Sequence, residues 1–107
     1  MKILFLGDVV GLSGCRKIAN DLLDQIKKKD IDFVIINGEN ADDTGVGLTK
    51  EICKIFFDNG VDVITTGNHV WDQKDIMNFI DKEKRLLRPK NLFEPAPGRG
   101  FEIYKTK

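Results

Sequence analysis

Five residues of this 107-residue chain carry polar chemistry at matching places: Asp8 in Gly7-Asp8-Val9-Val10-Gly11, Glu39 and Asn40 in Asn37-Gly38-Glu39-Asn40, and Asn68 and His69 in Thr65-Thr66-Gly67-Asn68-His69-Val70-Trp71-Asp72. The third run holds the only histidine and the only tryptophan of the protein. Carboxylate oxygens, amide oxygens and an imidazole are ligand types that suit first-row metal ions. A glutamate between two cations can bridge them, and two metals about 3.5–4 Å apart form a clamp for phosphoryl transfer. A hydroxide on such a centre attacks phosphorus, and a histidine near the leaving oxygen can protonate it. Against this stands a plainer reading, in which Asn-His after Gly is turn chemistry and a lone histidine is structural. What sets the five apart is that each run follows an apolar stretch.

That pattern defines the elements that must position them. Lys2 to Leu6 reads as a fully buried strand stopped by Gly7. Ser13 is expected to cap a helix from Gly14 to Lys29, with Ile18, Leu22, Leu23 and Ile26 on its core stripe and Lys27-Lys28-Lys29 at the end where cations suit the helix dipole. Ile31 to Ile36 is a second strand. The loop from Ala41 to Gly47 is polar, and Asp42 and Asp43 read as solvated charges. Thr49 caps a helix to Asn59 that buries Ile52, Ile55 and Phe56, and Asn59-Gly60 supplies its left-handed stop. Val61 to Thr65 is the third strand. Asp72 is placed to cap a further helix through Lys84 that buries Ile76, Phe79 and Ile80, with Trp71 packing at its entry. Leu86-Leu87 reads as a short strand, Asn91 to Gly100 as irregular, and Phe101 to Tyr104 as the start of another strand.

Alternating strands and helices predict an α/β fold: a parallel sheet in a sandwich with helices on both faces. Right-handed crossovers bring successive strand ends to one edge. Asp8, Glu39 with Asn40, and Asn68 with His69 should therefore meet there, although the runs lie about 30 residues apart.

Composition narrows the alternatives. Residues 1–107 make a single domain. Lys plus Arg and Asp plus Glu number 17 each, so no net field steers the chain to nucleic acid or an anionic membrane. Nucleic acid enters only as a substrate. No apolar run approaches the roughly 20 residues that span a bilayer, and the amino terminus is too short in apolar residues for a secretory leader. Cys15 and Cys53 stand in no CxxC pair, so reduced thiols and a cytoplasmic location are expected. The segment Gly7 to Gly14 has neither the Lys-Ser/Thr of a Walker loop nor the glycine spacing of a dinucleotide fold. Val10 stands where a haloacid-dehalogenase-type phosphatase needs its second acid. A receiver domain would leave Asn68-His69 unexplained.

Taken together, Gly7-Asp8-Val9-Val10-Gly11, Asn37-Gly38-Glu39-Asn40-Ala41, Gly67-Asn68-His69-x-Trp71-Asp72, Arg88-Pro89-x-Asn91 and Pro97-Gly98-x-Gly100 resemble the calcineurin-like metallophosphoesterases, and within them the YmdB-like phosphodiesterases. The resemblance implies an amino-terminal portion of that fold and a phosphodiester substrate such as a 2',3'-cyclic nucleotide. It implies two metal ions, iron or manganese in its place. Asp8 matches the ligand of the first metal, Glu39 the carboxylate bridging both, and Asn40 and Asn68 ligands on the second-metal side. His69 matches the proton donor to the leaving group. Val10 replaces a histidine of the wider superfamily, as is typical of this branch.

Members of the family continue well beyond residue 107 and supply there a further strand-end histidine and a Gly-x-His-x-His motif. This chain's one histidine is already assigned. Three readings therefore stand side by side: a phosphodiesterase completed by self-association, a phosphodiesterase whose carboxyl-terminal half is another polypeptide, and a catalytically inactive fragment kept as a binding or oligomerising module.

Overall fold

The computed structural model describes residues 1–93 and 95–106. Its centre is a four-stranded sheet in the order β1-β2-β3-β4, formed by β1 (Ile3–Leu6), β2 (Phe33–Asn37), β3 (Val63–Thr65) and β4 (Leu86–Leu87), with every pair parallel. Two α-helices join the first three strands, α1 (Gly11–Lys29) and α2 (Lys50–Asp58). The expected α/β architecture with a parallel sheet is therefore present.

The helical cover is one-sided. α1 and α2 pack against each other, so both lie on one face of the sheet. A sheet whose strands follow one another in sequence order, joined by crossovers of one hand, leaves its helices together in this way. On that face Val34, Ile36, Ile64 and Leu86 join Ile18, Leu22, Ile52 and Phe56 in one core. Val63 is buried but stands apart from that cluster, on the opposite face. There the segment after β4 supplies part of a cover, with the Tyr104 ring 6.0 Å from that of Phe33.

This corrects the reading of the first strand. β1 begins at Ile3 rather than Lys2, and it is an edge strand with alternating exposure rather than a fully buried one. Leu4 and Leu6 face α1, whereas Ile3 and Phe5 are 55% and 58% exposed. A continuous apolar run signals burial on both faces, and only the helical face is covered here.

Helix boundaries show how local signals yield to tertiary bonds. α1 starts three residues before the expected position, and no side chain caps it. The amide of Gly11 instead donates to Asn40 O at 3.0 Å, so the β2 loop satisfies it and Ser13 is not needed. At its far end Asp30 takes the left-handed conformation, with Lys27 to Lys29 in the last turn as expected. α2 is capped and stopped as expected, with Thr49 accepting from the Ile52 amide and Gly60 turning the chain at φ 97°. Its core face, however, is Ile52, Cys53 and Phe56, and Ile55, expected to be buried, points away from that face at 38% exposure.

The third expected helix does not form. Lys74–Asn78 is a 3₁₀ helix preceded by Gln73, without a side-chain cap, and residues 79–82 continue as turns. Ile76 and Ile80 are nonetheless buried and Phe79 is half-buried. Asp72 and Gln73 are committed elsewhere, Asp72 to His69 and Gln73 to the 42–46 loop, so the residues meant to start a helix hold other parts of the chain. Nor does Phe101 to Tyr104 form a strand. A single bridge, Leu87 with Arg99, is the extent of pairing beyond β4 among the described residues, and Phe101 and Ile103 are 68% and 86% exposed.

The irregular stretch after β4 is organised by Arg88, a buried cation. Its guanidinium donates to Pro97 O and Pro89 O at 3.0 Å each and to Ala96 O at 3.4 Å. Charge-assisted bonds of this kind can hold a Pro- and Gly-rich loop that has no backbone ladder of its own. Glu94, within that stretch, lies outside the described residues.

Candidate metal and phosphate site

Because the strands are parallel, the carboxyl ends of β1, β2 and β3 open on one edge, and each is followed closely by glycine: Gly7, Gly38 and Gly67. The first loop is laced to the second. Asp8 Oδ1 accepts from Asn40 Nδ2 at 2.7 Å, and the Val9 amide donates to Asn37 O at 3.4 Å. These bonds hold Asp8 at φ 49°, a left-handed conformation that a short polar side chain tolerates better than most.

The second loop is laced to the third. Glu39 Oε2 accepts from the His69 amide at 3.0 Å, and Gly38 N donates to Thr65 O at 2.9 Å. Glu39 also lies against Gly67, where a Cβ would fall on the carboxylate itself. Glycine is required there by close approach, not only by turn geometry.

Residues 67–72 then form two successive tight turns, Val70 N to Gly67 O at 3.0 Å and Asp72 N to His69 O at 3.1 Å. They return the Asp72 carboxylate to His69, whose Nδ1 lies 2.8 Å from Asp72 Oδ2. Four of the five sequence candidates are thus bonded to one another or to one another's loops, and Asn68, the fifth, stands exposed beside them.

Neighbouring residues have plainer roles. Asp42 accepts from Thr44 N at 3.0 Å, Thr44 Oγ1 at 2.7 Å and Gln73 Nε2 at 3.2 Å. It is a turn residue that clamps the 42–46 loop to residue 73, more engaged than a solvated charge. Arg88 holds loop carbonyls, and Arg99 Nη2 donates to Asp81 O at 3.3 Å. A groove of about 620 Å³ opens between α2 and residues 79–85, lined by Lys54, Phe57, Phe79 and Arg85. It touches none of the five candidates.

The thiols are unsuited to ligation or nucleophilic attack. Burial pushes the Cys53 thiol up to about 12 and raises that of Cys15, whose Sγ lies 3.3 Å from Ala41 O. A neutral buried thiol behaves as a small apolar side chain.

Oxygen donors dominate the edge: two carboxylates and two amides, with the one imidazole held at Nδ1. Such a set fits a hard divalent cation, which prefers oxygen and tolerates incomplete protein coordination with water filling the rest. A half-turn of the Asn40 amide would present its oxygen where its nitrogen meets Asp8. Among the described residues no group of three or more His, Cys, Asp or Glu side chains is gathered closely enough to hold a metal ion. The protein donors at this edge thus fall short of a complete metal shell among the described residues.

The protein-family model described as "YmdB-like protein" matches residues 4–107. The chain is 46% identical over 107 residues to the 2',3'-cyclic-nucleotide 2'-phosphodiesterase of Bacillus subtilis (strain 168), covering 99% of this chain and 40% of that protein. Its fold superposes on the crystal structure of a hypothetical protein from Thermus thermophilus with a TM-score of 0.89 at 37% identity, over 98% of this chain and 40% of the other. It superposes on that of a novel phosphatase from Mycoplasma pneumoniae with a TM-score of 0.85 at 38% identity, over 97% of this chain and 39% of the other. The chain thus spans about two fifths of the length of these relatives.

Proposed function

The chain belongs to the YmdB-like family, and from that premise we propose that it takes part in metal-dependent hydrolysis of a phosphodiester, a 2',3'-cyclic nucleotide or a close analogue. The observation that carries the proposal is the lacing of Asp8 to Asn40 and of Glu39 to the His69 turn at a single strand edge.

Asp8, Glu39, Asn40 and Asn68 are the residues that would hold the metal, Glu39 as the carboxylate that two ions would share, with manganese or iron as the ion. When bound, the metal would neutralise phosphate charge and supply a nucleophile at neutral pH. The chain's own contribution is positional. Glu39 is held by the His69 amide and by the space left at Gly67, so its carboxylate needs little reordering to meet a cation. His69 is proposed as the group that gives a proton to the leaving oxygen.

Two further features support a reading in which more protein completes the site. The relatives are longer, and Ile3 and Phe5 on the edge strand β1 are uncovered. A further stretch of protein carrying additional imidazoles would meet both needs. Buried free thiols suit a reducing, cytoplasmic setting, and among the described residues no helix is long and apolar enough to cross a membrane.

The test is Mn²⁺ binding and hydrolysis of bis-p-nitrophenyl phosphate and a 2',3'-cyclic nucleotide by the purified chain, beside Glu39→Gln and His69→Ala. Saturable Mn²⁺ binding lost in Glu39→Gln, with turnover lost in His69→Ala, is expected. A folded chain that binds no Mn²⁺ and hydrolyses neither substrate would favour the inactive-fragment reading instead.

A further inference from the structure

We propose that Asp72 is a positioning residue that fixes the tautomer and ring orientation of His69, leaving Nε2 as the nitrogen offered to a substrate; the catalytic part of this inference rests on the function proposed above. The geometry is direct. His69 Nδ1 and Asp72 Oδ2 are 2.8 Å apart, three residues along the chain, and the Asp72 amide bonds to His69 O at 3.1 Å. The turn that brings the two side chains together is therefore closed by the same pair of residues. A carboxylate only accepts, so the shared proton sits on Nδ1; the neutral ring then carries its lone pair at Nε2, and the ring protonated at both nitrogens is the form whose Nε2–H goes to the leaving oxygen.

Asp72 does not take the plainer role its position suggests. An aspartate before a helix normally caps it, yet the 3₁₀ helix that follows begins after Gln73 and receives no side-chain cap. Asp72 is spent on the imidazole instead. The residue is anchored at its main chain as well, because the His69 amide is held by Glu39 Oε2. Main chain and side chain of His69 are thus each fixed by a different carboxylate. Both side chains remain about a third exposed, 35% for His69 and 38% for Asp72, so the ring can be reached from solvent. Fixing a histidine's tautomer through its second nitrogen orients the first for its work.

His69 is the only histidine, so its ring nitrogens give one set of signals in the full chain. The experiment is a long-range ¹H–¹⁵N correlation on ¹⁵N-histidine-labelled protein at pH 8, for wild type, Asp72→Ala and Asp72→Asn, with hydrolysis kinetics beside it. Wild type should show the Nδ1–H tautomer in excess, and Asp72→Ala should revert toward the Nε2–H form that free histidine prefers. If turnover is measured, Asp72→Ala should lower kcat by about 10- to 100-fold with KM little changed. An Nε2–H tautomer in wild type, or an Nδ1–H excess that persists in both variants, overturns the inference. The wild-type spectrum needs no variant to fold and no turnover, so failure of the hydrolytic reading remains separate from failure of this one.

Discussion

The amide of His69 donates to Glu39 Oε2 at 3.0 Å across a sequence separation of 30 residues, joining the loop after β2 to the loop after β3. The bond makes the carboxylate's position depend on the shape of the third loop, and that shape depends in turn on Gly67.

Gly67→Ala should therefore act on Glu39 before it acts on the fold. The new Cβ would fall on the carboxylate, which can leave only by breaking its bond to the His69 amide. Circular dichroism should show a folded chain, while Mn²⁺ titration should show affinity lowered by roughly 10-fold or more, as loss of a ligand's supporting contacts does. Unchanged affinity would separate Glu39 from the metal.

Arg88→Met should destabilise the chain. The buried guanidinium satisfies the carbonyls of Pro89, Ala96 and Pro97, and an apolar replacement leaves them without those donors. A loss of about 2–4 kcal/mol in urea unfolding is expected. A variant as stable as wild type would show that the loop contributes nothing to holding the sheet.

Cys15 and Cys53 should resist Ellman's reagent at pH 8 in the native chain and react at once in guanidinium. Burial raises both thiols, Cys53 to about 12, so the native protein holds them protonated. The same shift has a stability consequence. Above the ordinary thiol value of 9.0 the unfolded chain releases these protons while the folded chain keeps them, so stability should fall as pH rises past it. A chain whose melting temperature stays flat from pH 8 to 10 would contradict this.

Glu83 should contribute stability in the opposite pH range. Burial works to raise its carboxyl, but hydrogen bonds from the Arg85 side chain and backbone, at 3.0 and 3.1 Å, hold it below the usual carboxylate range. A depressed carboxylate stabilises the fold above its unfolded value, 4.5, and loses that contribution as pH falls through the folded value. Glu83→Gln should lie below wild type in denaturation midpoint at pH 7 and meet it in acid. Because Arg85 also stacks on Phe57 at 3.8 Å, Arg85→Ala should cost more than Glu83→Gln.

Much of the fold could be read along the chain because its signals are local. Apolar runs stopped by Gly7, Gly38 and Gly67 marked β1, β2 and β3, and Thr49 and Gly60 bounded α2, since capping and left-handed turns depend on a few adjacent atoms. The five candidate site residues were also legible, because a parallel sheet with regular crossovers puts every strand end on one edge. What escaped was whatever a distant partner decides. Ser13 lost its capping role to Asn40 O, and Asp72 left the helix for His69. Phe5 was left uncovered because both helices chose the other face. A side chain with two uses takes the one that tertiary packing makes closer. The sequence alone determined which residues would gather at the strand edge; only the folded chain decided which of them hold one another, because that depends on distances of about 3 Å between atoms roughly 30 residues apart.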